Sequence, residues 1–78
     1  MNFLFSTTIH LDGGVKCTYK VFRFKLEPIK YKAELIEGKC PSEILLWKEN
    51  NSWETKRQTK EIRLLASILG QEINKWQN

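Results

Sequence analysis

The chain has 78 residues, a formal net charge of +4 and a hydrophobic content of 41%. That length allows one domain, close to the size at which a single core gives only modest stability, so association with a partner would help. No apolar run approaches the ~20 residues of a membrane span, and Met1 to Phe5 lacks the basic start and apolar stretch of a secretory leader, so a cytoplasmic setting is expected.

The first pattern runs from Phe3 to Leu11, where Phe3, Phe5, Thr7, Ile9 and Leu11 alternate with Leu4, Ser6, Thr8 and His10. Period two predicts a strand with one buried face. Asp12-Gly13-Gly14 then suits a three-residue hairpin loop with glycine in the left-handed region. Pairing Leu11 with Val15 sets Ile9 opposite Cys17, Thr7 opposite Tyr19 and Phe5 opposite Val21, so the apolar sides coincide. The same register leaves Leu4 opposite Phe22 on the reverse face, with Phe24 and Leu26 continuing beyond it. Two covers are open to these side chains: a β-bulge near Val21 to Arg23 that swings the aromatics inward, or a second copy of the chain.

Pro28 has no backbone donor, so Glu27-Pro28 is read as a turn or a strand edge. Ile29, Tyr31, Ala33 and Leu35 alternate with Lys30, Lys32 and Glu34, which predicts a third strand with a charged outer side. Gly38 to Pro41 is a loop by composition. Glu43 to Lys48 is a fourth strand in which Ile44, Leu45, Leu46 and Trp47 are apolar on both sides, the pattern of a strand covered twice. Glu49 to Ser52 supplies turn chemistry, and Trp53 opens a short fifth strand or an extended lead. An even-length loop places Trp53 with Ile44 and Leu46; an odd one places it with Leu45 and Trp47.

From Thr59 to Trp76 the period changes. Ile62, Leu65, Ala66, Leu69, Ile73 and Trp76 fall on one helical stripe, widened by Leu64 and Ile68, and Thr55 or Thr59 is the candidate cap. Gly70, which costs about 1 kcal/mol against alanine in a helix, marks a close backbone approach, a kink or an early end, and a continuous helix is the reading adopted. With no repeat or linker, residues 1–78 are expected to form one α+β domain. Its architecture is an antiparallel four- to five-stranded β-meander packed on one face by a single C-terminal α-helix, in the order β-β-β-β(-β)-α.

Few residues carry chemistry. His10 and Ser6 share a strand face, but four residues along a strand is roughly 13 Å, too far for a hydrogen bond. Asp12 reads as a turn residue, and Glu34, Glu37 and Glu43 as solvated carboxylates. Cys17 and Cys40 show no metal or redox spacing, so reduced thiols are expected, with Cys17 a small buried hydrophobe and Cys40 a loop thiol after Lys39. Gly13-Gly14 lies between strands rather than before a helix, so no phosphate loop is present. No cofactor or metal is implied, and a non-enzymatic role is expected.

The surfaces say more. Lys16, Thr18 and Lys20 share the outer side of the second strand with Lys30 and Lys32 of the third. Flanked by aromatics, they form a candidate platform for single-stranded nucleic acid. The plainer account is that lysines keep an exposed sheet face soluble and discourage edge pairing. Lys56, Arg57, Lys60 and Arg63 crowd the positive end of the helix, an unfavourable placement that marks a candidate anion contact. Leu4, Phe22, Phe24 and Trp47 form the candidate self-association patch, because apolar surface exceeds what one helix covers. The leading expectation is a small non-catalytic interaction module, self-associating or bound to another protein, with nucleic-acid binding as the alternative. In outline, a meander closed by one helix is similar to small dimeric single-stranded-DNA-binding coactivator domains, without a shared motif, and outline alone does not carry function.

Overall fold

The computed structural model describes residues 1–77, apart from the side chains of Lys25 and Gln77. Five antiparallel strands, β1 (Asn2–His10), β2 (Lys16–Leu26), β3 (Ile29–Glu37), β4 (Glu43–Glu49) and β5 (Ser52–Thr55), lie in sequential order, and one helix, α1 (Lys60–Gln77), packs on the sheet. The fold is α+β, a five-stranded meander with a C-terminal helix.

The first hairpin takes the register that its alternation dictates. Ile9 pairs with Cys17, Thr7 with Tyr19 and Phe5 with Val21. Gly13 and Gly14 both sit at φ 78°, the left-handed turn for which glycine has no steric cost. Above Phe5 the expected register fails, because β1 bulges between Phe3 and Phe5 and brings Phe3, not Leu4, opposite Phe22. Leu4 turns to pack against the core instead. A second irregularity between Arg23 and Lys25 leaves Phe24 without a direct partner on β3. Neither bulge swings Phe22 inward. The first adds its extra residue to β1, between the Phe5–Val21 and Phe3–Phe22 pairs, and the second lies beyond Arg23, so the alternation of β2 itself from Val21 to Phe22 is unbroken.

Asn50 and Asn51, at φ 52° and 64°, form the tight turn between β4 and β5. This even loop pairs Lys48 with Trp53 and puts the indole on the helix side with Leu46 and Ile44. Thr59 caps α1: its Oγ1 accepts from the Ile62 N–H at 3.2 Å and its carbonyl from the Arg63 N–H at 2.9 Å. Ile62, Leu65, Ala66, Leu69 and Ile73 are buried against Ile9, Tyr19, Val21, Ala33, Ile44 and Leu46. Two residues of the expected stripe depart from it. Leu64 is 53% exposed and Trp76 51% exposed, because they lie at the margins of an arc wider than the floor beneath it. Ile29, expected to face inward, lies exposed at the β2–β3 turn, beyond the reach of α1.

The cysteines also depart from expectation. Cys17 is buried as predicted, but it is joined to Cys40 in a disulfide with the Cα atoms 6.3 Å apart, so neither is a free thiol. Register explains the meeting: β3 returns beside β2, and its exit loop comes back over Cys17. The bond ties that loop to the sheet across a separation of 23 residues, removing freedom from the unfolded chain.

Gly70 is a point of close approach between helix and sheet. A methyl group there would fall within the Trp53 ring, so the indole lies against bare helix backbone. Trp53 also meets Tyr31 edge-on, with ring centroids 5.8 Å apart. Gly70→Ala is therefore expected to destabilise the fold by about 1–3 kcal/mol through overpacking, where an open helix site would gain about 1 kcal/mol. Urea denaturation measures this, and Trp53→Leu in the same chain should recover part of the loss. An alanine variant as stable as the parent would remove the close contact.

Tyr19 is fully buried and its hydroxyl donates to the Pro41 carbonyl at 2.8 Å. Burial, with the Glu61 charge adding to it, pushes its phenol from 10.0 up to about 12. A phenol whose folded value is raised stabilises the fold fully below pH 10 and loses that contribution as pH rises towards 12. Tyr19→Phe should cost about 1 kcal/mol at neutral pH and flatten this alkaline loss, read by urea midpoints alongside the near-ultraviolet phenolate signal. A Tyr19 phenolate forming at the ordinary value would contradict the buried hydrogen bond.

Candidate functional site

α1 covers one face of the sheet, and among the described residues no element covers the other. Pairing arranges that open face in rows. Thr8, Thr18 and Glu37 form one row; Ser6, Lys20, Glu34 and Glu43 the next; Phe3, Phe22, Lys32 and Leu45 a third. Trp47, opposite Glu54, lies one row further along β4.

The third row is an aromatic band. Phe3 and Phe22 meet edge to face at 5.6 Å, and Phe3 remains 55% exposed. Phe22, Leu45 and Trp47 are half-buried. Lys30 sets its ammonium 5.0 Å from the centre of the Trp47 ring, and the Trp47 Nε1–H donates to Glu49 Oε2 at 3.1 Å, so two contacts fix the indole. Two of the four residues expected in the patch, Phe22 and Trp47, thus share the open face. Leu4 leaves it for the core, and Phe24, though exposed, makes no ring contact with either among the described residues. Phe3 and Leu45 take part although sequence reasoning passed them over. Leu45 was visible as the outer apolar residue of β4; Phe3 depended on the bulge.

Lys16, Thr18, Lys20, Lys30 and Lys32 do lie on this one face, but not as an unbroken positive surface. Lys32 bridges Glu43 at 3.2 Å and Glu34 at 3.4 Å. The hydrogen bond to Glu43 is the main cause that holds its ammonium above the ordinary lysine value, against an opposing effect of desolvation. Thr18 shares a hydrogen bond with Thr8 at 2.9 Å. Glu34 and Glu43 thus share the row of Lys20 and reach Lys32 from it, so the lysines of the central strands are interleaved with acids.

The basic residues near the start of α1 divide between two clefts. Lys60 and Arg63 line one of ≈ 730 Å³ with Lys48 and Trp53, while Lys56 and Arg57 line another of ≈ 610 Å³ beside Glu43. They do not converge on one point. A smaller cleft of ≈ 360 Å³ is walled by Ile29, Tyr31, Trp47 and Trp53 at the β2–β3 tip. His10 is exposed at the end of β1, opposite Lys16. No group of three or more potential metal ligands occurs among the described residues. No helix among them is long and apolar enough to cross a membrane. Compared with known proteins, the chain matches no family model, no curated protein and no solved structure.

Proposed function

We propose that the chain is a non-catalytic interaction module, self-associating or receiving another protein, whose working surface is the helix-free face of the sheet. One observation carries this reading: the Phe3, Phe22, Leu45 and Trp47 side chains cross that face in a band that nothing in the described chain covers. Apolar area left in water is worth about 25 cal/mol per Å² when buried, so closing the band against a partner is favourable. The flanking lysines and glutamates would form the polar rim of such a contact.

The compartment sets the state of the disulfide without reaching this surface. In a cytoplasm the bond is reduced and Cys40 stands free on its loop; an oxidising compartment keeps it closed. Either state leaves the aromatic band unchanged, since Cys17 faces the core.

Phe22→Ser and Trp47→Ser are expected to weaken association roughly 10- to 100-fold, as loss of a central aromatic anchor does, with the monomer still folded. Sedimentation across micromolar concentrations measures this. A parent chain that stays monomeric and shares its association behaviour with both variants would end the reading.

A second reading places single-stranded nucleic acid on the same face, favoured by Lys16, Lys20 and Lys30 lying near Phe22 and Trp47. Since Lys32 is already neutralised, Lys16, Lys20 and Lys30 are the three of this set left to meet phosphate, and three such contacts to a single strand give a slope of log affinity against log salt of about −2. Titration of a labelled oligonucleotide at two salt concentrations tests it, and no binding even at low salt would dispose of it.

A further inference from the structure

We propose that two copies of the chain join through β1, edge to edge and antiparallel about a two-fold axis at Thr8, to form one continuous sheet. This rests on the self-association reading above but moves the contact between copies from the helix-free face to an edge of the sheet, so that Phe22 and Thr8 variants tell the two apart.

The two edges of the sheet differ. β5 has 4 residues, carries Glu54 and is followed by Lys56 and Arg57, the usual means by which an edge is blunted. β1 has 9 residues and contains no lysine, arginine, carboxylate or proline. It is instead rich in phenylalanine, threonine and isoleucine, which favour strands. Within the strand the protective feature is the bulge beside Phe3 at one end, while Glu72, Lys75 and Trp76 of α1 stand beside Phe5 to Thr7 on the helix side only. A long, uncharged, regular edge is a template for another strand, and here the segment Phe5 to His10 is regular.

Backbone direction then selects the register. The Leu11 N–H donates to the Val15 carbonyl, towards β2, at 2.8 Å. Successive residues of a strand present their backbone groups to opposite edges, so Ile9 and Thr7 also face β2, while Ser6, Thr8 and His10 offer N–H and C=O to the open side. A second copy of β1 satisfies most of these when Thr8 faces Thr8 of its partner and Ser6 faces its partner's His10. That arrangement exchanges about six backbone hydrogen bonds, and the bulge falls outside it. A centre at Thr7 would carry one of these pairs into the bulge.

The flanking side chains fit the same axis. In this register Phe5 of one copy lies opposite Leu11 of the other on the helix side. Trp76, which stacks on Phe5 at 6.3 Å and is 51% exposed, is thereby carried towards Leu11 and the 41% exposed Val15 of the neighbour. Two-fold symmetry makes the contact twice. Strand pairing alone buries less than the ~800 Å² per partner of a standard interface, and these half-exposed groups add apolar area to it. No acidic or basic residue of β1 itself is set against its own copy at the axis, and the two charges that α1 brings to this edge, Glu72 beside Thr7 and Lys75, are paired with each other at 3.2 Å.

Sedimentation of the intact chain and of Thr8→Pro, Thr8→Lys and Phe22→Ser tests the proposal. The Thr8 N–H points away from β2, so proline there removes no ladder bond within the monomer. The parent should be a dimer at micromolar concentration, and Thr8→Pro should weaken it at least 10-fold while circular dichroism stays unchanged. Thr8→Lys, which sets like charges across the axis on an exposed position, serves if the proline chain does not fold, and should weaken the dimer in the same sense. A nitroxide on Thr8→Cys should report a single short distance between copies. If Phe22→Ser dissociates the dimer and neither Thr8 variant does, the edge assignment is overturned and the face reading stands. A parent that is monomeric overturns both, and an open polymer overturns the closed two-fold pairing.

Discussion

The packing of Trp53 on the backbone of α1 at Gly70 is the constraint on which the rest of the arrangement depends. It draws the helix down over β4 and β5 and anchors the apolar stripe of α1 to that side of a five-stranded sheet. A glycine is required because an indole and a Cβ cannot occupy one place, and an indole is required because a smaller side chain would leave a void beside Tyr31. With the helix so placed, the core closes over Ile9, Tyr19, Val21, Ala33 and Leu46, and two surfaces are left over: the helix-free face and the β1 edge.

How much of this could be read in the sequence depends on how local each signal is. The β1–β2 register was legible because period-two alternation on both sides of Asp12-Gly13-Gly14 admits one loop length that brings the apolar sides together. The side of the sheet taken by Trp53 was not, since an even and an odd loop fit the same residues, and Asn50-Asn51 chose the even one. Leu4 and Phe3 exchanged roles through a single extra residue, which no alternation pattern reveals in advance. The Cys17–Cys40 bond was illegible for another reason: it joins β2 to the loop beyond β3, and only the paired strands place those points 6.3 Å apart at Cα.

Charge shows the same limit more sharply. Read along the chain, Lys16, Lys20, Lys30 and Lys32 are a basic set, and Glu34 and Glu43 are isolated acids. Read across the strands, Lys20 faces Glu34, Glu34 faces Glu43, and Lys32 is shared by both carboxylates. A face built this way has little long-range field to gather a polyanion, whereas mixed charges around an aromatic band suit a contact with protein. Sequence order concealed the neutralisation because antiparallel pairing brings β4 residues beside β3 residues ten or so positions away.

The asymmetry of the two sheet edges bears on stability as well as on association. A chain of 78 residues with one helix and one sheet has a small core, and a disulfide already constrains its unfolded state. Trimming β5 to 4 residues while leaving β1 at 9 makes sense if only one edge is left open to water. Were β1 meant to remain unpaired, a lysine in place of Ser6 or Thr8 would protect it at no cost to the core, since both side chains are exposed on the outer face. The two hydroxyls that stand there instead add no charge to repel a second strand, and the backbone groups of the same residues are the ones that point outwards.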